Sequence, residues 1–532
     1  GAAFVRDCRH LAFSLPHPGE APRLDVTTYR RTGEASMNLF RTKSVETSLR
    51  DTEEPEHRLK KKLTALDLTV FGVGVIIGAG IFVLTGTAAA TNAGPAIAVS
   101  FVIAAVACGL AALCYAEFAS TVPVAGSAYT FSYATMGELV AWIIGWDLIL
   151  EFVVAAAAVA SGWSGYFVDF LSGTPFELPT ALTSAEDGVL NLPAGLLVLV
   201  LTGILISGIK LSSRVNQIVV AIKVAVVLFV IIAGVGFIKF ANYTPFVPPA
   251  EPPDAAKGGF LSLPLVQTLF GLEPAVYGWG GVVTAAAIVF FAFIGFDIVA
   301  TTAEETKHPQ RSLPLGILGS LAITTVLYVA VSFVITGMQN YKEIDPEDAA
   351  PLSSAFAAVG KEGYGNIVAL GAIVGLVVVV MILMLGQTRV GFAMARDGLL
   401  PRGLAKVHPR FGTPHIITLI VGVLVAVITA FLPISELAEL VNIGTLFAFV
   451  LVSIGVIVLR RTRPDLPRAF RVPLVPLLPI LAALISLYLM LNLSGLTWVR
   501  FGGWMAIGFL VYFLYGYHNS RVGRGIRAKT DV

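Results

Sequence analysis

Charge is what this chain has least of. Only 13% of its 532 residues are Asp, Glu, Lys or Arg, about half the share of an ordinary soluble domain. That scarcity excludes the string of three or four soluble domains that the length alone would suggest. Cysteine is nearly missing as well: Cys8 lies in the N-terminal stretch, and Cys108 and Cys114 share one apolar run. Six residues along a helix separate that pair by roughly 9 Å, too far for a disulfide, so neither a disulfide framework nor a metal site is indicated. The seven histidines, at 10, 17, 57, 308, 408, 415 and 518, fall in tails, loops or a helix start. None stands mid-run, where a membrane-embedded serine nucleophile would need a base. "GWSG" at 162–165, which matches the Gly-x-Ser-Gly of intramembrane proteases, therefore reads as packing around Trp163. No phosphate-binding GxxxxGK[ST] occurs, since Gly360-Lys361 is followed by Glu362. "GVGVIIG" lies inside an apolar run with no strand before it, so it is no dinucleotide motif. The net charge of +2 carries no signal by itself, and no nucleic-acid partner or cofactor is indicated.

What is present is apolar length. Hydrophobic residues make up 56% of the chain and the mean hydropathy is +0.82. Long runs fall at about 66–90, 96–120, 138–170, 193–209, 216–238, 281–304, 314–337, 364–390, 415–432, 437–459, 474–493 and 499–517. Runs of this length are read as membrane-spanning helices, so the expectation is an all-α polytopic membrane protein of twelve spans. The positive-inside rule sets their direction. With the N-terminus inside, the cytoplasmic face collects "RLKKK" at 58–62, Lys210, Arg214, Lys307, Arg311, the basic loop from Arg389 to Arg410, Arg460 to Arg471 and the tail from Arg521 to Lys529. The opposite face holds Lys239, Lys257, Lys342, Lys361 and Arg500. Both termini are therefore expected in the cytoplasm. Residues 1–36 are polar and do not read as a signal peptide; "MNLFRTKS" from Met37 looks like a natural start, which makes 1–36 an upstream extension and 37–62 a charged cytoplasmic tail.

Two spans carry interruptions. The first reads "FGVGVIIGAGIFVLTG" and the sixth "VFFAFIGFDIVATTAEE". Glycine inside a helix costs about 1 kcal/mol relative to alanine; close packing of helices through small residues is the plainer reading of the first cluster. Their positions argue for more. Each interrupted span opens a group of five, the pattern of an inverted-repeat transporter with its site near the bilayer midplane. The expected organisation is a first repeat (63–238), an extracellular loop (239–280), a second repeat (281–459), two further spans (460–517) and a cytoplasmic tail (518–532). Unwound backbone frees N–H and C=O groups that hydrocarbon cannot satisfy. Half-helix N-termini favour anions and C-termini favour cations; an amino acid zwitterion has that shape.

Lys223 stands alone in "IVVAIKVAVVLF" (218–229), where a central lysine costs about 2.5–3.5 kcal/mol on insertion scales. It lies nine residues past Arg214, so one reading has its side chain snorkelling to the inner interface. Asp147 and Glu151 share a helix face at i, i+4; they suit a proton relay or partners for Lys223, with a hydrated structural role as the alternative for Asp147. Glu117 ends the second span and is expected to anchor the "STVPVAGSAY" loop. Asp297 follows the sixth-span break and suits either holding the unwound segment or sensing a proton.

On "GVGVIIGAGIFVLTG", "CYAEFASTVPVAGSAYTFSYATMGELVAWIIGWDLILE", "FFAFIGFDIVATTAEETKHPQRSLPLGI", "GQTRVGFAMARDGLLP" and "RAFRVPLVPLLP", the chain resembles the amino acid–polyamine–organocation superfamily. The likeness is to its cationic amino acid transporter branch and that branch's bacterial proton-coupled members, and runs from about Met37 to His518. The resemblance implies a LeuT-type fold of two inverted five-helix repeats with alternating access, a substrate carboxylate at Ile77, Gly78, Ala79 and Gly80, and a substrate ammonium at the carbonyls of Phe291, Ala292 and Ile294, with Phe291 as a gate. Where close relatives often carry a hydroxyl, Ala79 offers only its backbone. Lys223 falls where the bacterial proton-coupled members place a lysine; its ammonium would take the place of sodium in sodium-coupled relatives and bridge spans 1 and 5 through carbonyls such as that of Gly74. Burial disfavours the charged state of an amine, which makes reversible protonation a workable step.

The function expected is secondary active transport of amino acids, driven by a proton gradient, in the cell membrane of a bacterium, with the lipid bilayer as its setting. "VVVVMILMLG" in the eighth span, including Leu383 and Met384, favours neutral or broad substrates, whereas the resemblance pulls toward arginine and lysine. An exchanger, a channel, a nutrient sensor of the same fold and an intramembrane enzyme are the rivals. A small accessory membrane protein stays open as a partner.

Overall fold

The computed structural model describes residues 41, 63–121, 127–185, 188–208, 213–252, 260–271, 276–302 and 306–525. The expected extension, nearly all of the charged tail including "RLKKK", Lys210, Lys257, the 122–126 stretch that Glu117 was expected to anchor and the end of the C-terminal tail lie outside the described residues. Among the described residues there is no strand, and the regular elements are all helices. Among the described residues, eight helical stretches are long and apolar enough to cross a membrane, and four shorter apolar helices accompany them. It is a multi-pass membrane protein.

Thr64 and Asp67 start α1 (Ala65–Ile76) with reciprocal bonds: the Asp67 N–H donates to Thr64 Oγ1 and the Thr64 N–H donates to Asp67 Oδ2 at 2.9 Å, a capping box. The helix stops where Ile77 turns extended (φ −69°, ψ 93°). The chain resumes as a wide π-type coil at Gly80–Leu84, α2 (Thr85–Ala88) and a second wide coil at Ala89–Ala93. There follow α3 (Ile97–Thr121), α4 (Ser127–Thr135), α5 (Glu138–Leu171), α6 (Leu192–Ile206) and α7 (Ser213–Val235). The second interruption separates α8 (Gly278–Val289) from α9 (Phe296–Thr301) through a 3-10 turn at Phe290–Phe293. The rest is α10 (Pro309–Met338), α11 (Pro351–Ala358), α12 (Glu362–Arg396), α13 (His415–Phe431), α14 (Ile434–Thr462), α15 (Leu477–Leu491) and α16 (Gly495–Val511). Both interruptions expected from the glycine clusters are present, at Ile77–Gly78 and Ile294–Gly295.

The two broken helices are each braced by other helices. α1 packs on α10 and α7, α8 on α3, and α5 lies against both α12 and α14. Enclosure separates scaffold from periphery: 83% of the apolar window of α5 is covered by protein, against 22% around α16. The peripheral α16 docks through indoles. Trp146 donates to the Trp504 carbonyl at 2.9 Å, Trp504 to that of Trp146 at 3.1 Å and Trp142 to that of Gly508 at 3.0 Å. Interhelical bonds of this kind replace the hydrophobic drive that lipid removes.

Two buried carboxylates tie segments that are far apart in sequence. Glu138 accepts Arg41 on both oxygens (2.9 and 2.6 Å), Tyr133 at 2.8 Å, Tyr512 at 3.1 Å and the Ser520 hydroxyl. Glu117 reaches far along the chain. Its carboxylate takes Arg460 at 2.9 and 2.6 Å and the Val472 N–H at 2.7 Å, with Arg468 at 3.5 Å. It therefore anchors the segment that follows α14, while residues 122–126 of the loop it was expected to hold lie outside the described residues. Replacing Glu117 with alanine, which leaves the Arg460 guanidinium unpaired, is expected to destabilise the fold by about 3 kcal/mol. The readout is a lowered thermal midpoint of the detergent-solubilised protein, and an unchanged midpoint would contradict this role.

Candidate functional site

The two breaks touch each other. At Gly80 an added Cβ would stand 2.5 Å from Cβ and 2.8 Å from the nitrogen of Ala292, and at Gly295 (φ +121°) it would stand 2.7 Å from Val75 Cγ1. Glycine is needed at both places, at one for close approach and at the other also for its backbone angle.

Interrupting α1 releases carbonyls, and side chains from three other helices take them up. Lys223 of α7 donates from Nζ to the carbonyl of Gly74 and, at 3.0 Å, to that of Ile77. Tyr328 of α10 donates to the Ile76 carbonyl at 2.7 Å, and Tyr166 of α5 to the Phe82 carbonyl at 2.6 Å. Lys223 is fully buried, so it does not snorkel, and its ammonium bridges α7 to the break in α1. The N–H groups of Gly78, Ala79 and Gly80 begin a new helical stretch with no carbonyl one turn back to bond. They form the positive end of a half-helix.

The second break is held differently. Asn442 of α14 donates to the carbonyls of Ala287 (2.8 Å) and Ile288 (2.9 Å) in the last turn of α8. Ile294 is extended (ψ 138°). Asp297, in the first turn of α9, interacts with the backbone N–H groups of Gly295, Asp297 and Ile298, which suits a residue that shapes the unwound segment.

Asp147, Glu151 and Asp297 are buried, at 0%, 1% and 2% exposure. Glu151 faces both of the other two and the Thr445 hydroxyl. Neither oxygen of Asp147 has a hydrogen-bond partner, nor do Glu151 Oε1 and Asp297 Oδ2. The hydrated role considered for Asp147 does not fit its burial. Nor do these acids pair with Lys223, whose ammonium is taken up by carbonyls; among the described residues the ion pairs include none of the four groups.

Between the breaks lies a small cavity. Gly78, Ala79 and Gly80 line it from one break, Phe291 and Ile294 from the other, and Leu383 from α12. Of the expected substrate contacts, Ile77 and Ala292 stand behind it, Ile77 giving its carbonyl to Lys223 and Ala292 backing Gly80. Sequence reading missed Val75 and Ile76 of α1, Ala155 and Val159 of α5 and Val379 of α12, which complete the wall. For the last three the signal was helical spacing, since Ala155 and Val159 continue the Asp147–Glu151 face and Val379 stands one turn before Leu383. No charged side chain lines the cavity. Its volume is about 20 Å³, room for a water but not for an amino acid, so a ligand enters only when a wall moves.

Residues 63–513 match the family described as Amino acid permease. The chain is 48% identical over 493 residues to the branched-chain amino acid permease BcaP of Bacillus subtilis, covering 92% of this chain and 99% of that protein. It is 45% identical over 491 residues to the methylthioribose transporter of the same organism, covering 92% of this chain and all of that protein. A vacuolar cationic amino acid transporter of Arabidopsis thaliana is 40% identical over 432 residues, which covers 80% of this chain and 68% of the plant protein. These relatives are transporters and permeases, not enzymes. With a match of that extent across its helical body, the chain belongs to the amino acid permease family of the amino acid–polyamine–organocation superfamily.

Proposed function

We propose that this protein is a proton-coupled importer of neutral amino acids, working by alternating access in the cell membrane with both termini in the cytoplasm. Its helices are taken as twelve spans in a LeuT-type arrangement, two inverted five-helix repeats (63–238 and 281–459) followed by two more. The observation that carries the reading is the pairing of unpartnered N–H groups at Gly78–Gly80 with a buried ammonium, Lys223, on the carbonyls of the same break. The substrate carboxylate would meet those N–H groups, and its ammonium the carbonyls of Phe291, Ala292 and Ile294. Phe291 would close the cavity as the gate. The energy source is the proton gradient and no cofactor takes part. Proton loss from Lys223 would release its hold on Gly74 and Ile77 and let α1 move.

The apolar wall of Val159, Val379 and Leu383 supports an uncharged side chain, in keeping with the branched-chain permease among the relatives. A cationic substrate would leave its charge unpaired against that wall; the plant relative keeps it as an alternative. The methylthioribose transporter favours a second reading, a thiosugar in the same cavity, since its likeness spans the whole of that protein. A thiosugar has no carboxylate for the Gly78–Gly80 N–H groups. Exchange in place of symport is separated from uptake by the gradient's effect, and a small accessory membrane protein as partner by co-purification.

Two outcomes are expected. In thermal-shift measurements on purified protein, leucine, isoleucine and valine raise the midpoint, whereas arginine, lysine and methylthioribose leave it in place; ligand at a hundred times its Kd adds about 2.7 kcal/mol. A shift with methylthioribose alone would replace the amino acid reading. In proteoliposomes, Lys223→Met lowers gradient-driven uptake of the bound amino acid at least tenfold and flattens its pH dependence. Uptake by that variant with the wild-type pH profile would remove proton coupling through Lys223.

A further inference from the structure

The face of α12 that borders the cavity continues past it. Val379 and Leu383 line the cavity. One and two turns before Val379 stand Gly375 and Gly371, so that Gly371, Gly375, Val379 and Leu383 form a single i, i+4 row. The two glycines meet α7. A Cβ on Gly371 would collide with Val226, and one on Gly375 would collide with Cγ of Lys223 and come within 2.6 Å of its Cδ. The lysine stem therefore lies in the groove that the missing side chain of Gly375 leaves, and its amine reaches the Gly74 and Ile77 carbonyls from there. The row on α12 touches the cavity at one end and the stem of the buried amine at the other.

We infer that Gly375 is a positioning residue that sets the reach of Lys223 to the break in α1 and transmits ligand-driven displacement of α12 to that amine. This rests on the proposed coupling role of Lys223. A ligand too large for the closed cavity pushes on Val379 and Leu383, and the rigid helix carries that displacement one turn along to the wall of the lysine groove. The physical warrant for coupling is such a shared element, biased by both sites. Few other groups compete for the role. From α10, Tyr328 reaches the same break through the Ile76 carbonyl. From α1, Asp67 sits at the opposite end, in the first turn. The stretch 368–386 of α12 carries no titratable side chain.

The test compares Gly375→Ala with Gly371→Ala, which crowds the same α7–α12 interface against Val226 but does not touch the lysine. Both are reconstituted as full-length protein, each also in a Lys223→Met background, and leucine is the transported probe. Gradient-driven uptake and gradient-free counterflow are measured across pH 5 to 8. The expected result is that Gly375→Ala lowers driven uptake at least fivefold while counterflow stays within twofold, and displaces the pH profile. Gly371→Ala should scale both activities together with the profile unmoved, and Gly375→Ala should no longer displace the pH profile or separate driven uptake from counterflow once Lys223 is methionine, which keeps the stem but lacks the amine. Equal behaviour of the two glycine variants, or an undiminished effect in the Lys223→Met background, overturns the inference. Wild-type pH dependence in Lys223→Met alone overturns the coupling reading instead, so the two failures are distinguishable. If Gly375→Ala does not fold, Lys223→Ala is added to it, which removes the stem; recovered folding supports the groove assignment, and no recovery overturns it.

Discussion

Hydrocarbon offers a polypeptide no hydrogen bonds, and the structure follows from where that rule is broken. Stopping α1 at Ile76 leaves main-chain carbonyls in the interior, and each must be met from elsewhere in the protein. An ammonium and two phenols meet those of Gly74, Ile77, Ile76 and Phe82. These donors sit on α5, α7 and α10, so a local defect in one helix becomes a joint among four. The donors on the far side of the gap stay uncommitted, and a transporter needs that asymmetry, with one half of the break fastened and the other open to a ligand.

The second break follows the same logic with other chemistry. A side-chain amide from α14 holds the end of α8, and a carboxyl sits over the first turn of α9. Where Gly80 meets Ala292 the two breaks lie in direct contact, so displacement of either is felt by the other. The volume between them is about 20 Å³, so the two breaks leave space for little more than a water molecule.

Much of this could be read from the residues in order. The glycines at 78, 80 and 295 marked the interruptions, because helix propensity is a local property. Lys223 announced itself by being charged where its neighbours are not, and the Gly74 carbonyl was legible as its partner through the resemblance of the whole pattern. Other parts were hidden for a physical reason. Tyr328 and Asn442 look like ordinary residues of apolar helices; their importance comes from which backbone groups happen to face them across more than 150 positions of chain. Arg460 and Val472, the distant partners of Glu117, were hidden for the same cause, since they lie 343 and 355 residues away. Ala155, Val159 and Val379 carry no chemical signature at all, and only packing reveals them as a wall.

Glu138 has a consequence for biosynthesis. Two of its donors, Tyr512 and Ser520, are 374 and 382 residues downstream. At translation rates of roughly 5–20 residues per second, the carboxylate emerges about twenty to eighty seconds before those donors exist. Through that interval the nascent chain holds an acid whose final surroundings have not yet been made, so the N-terminal end of α5 meets the segment after α16 only once that segment has been synthesised. A ribosome that stops before residue 512 leaves an unfinished protein whose Glu138 lacks the Tyr512 and Ser520 donors, a buried carboxylate short of the bonds that hold it in the full-length fold.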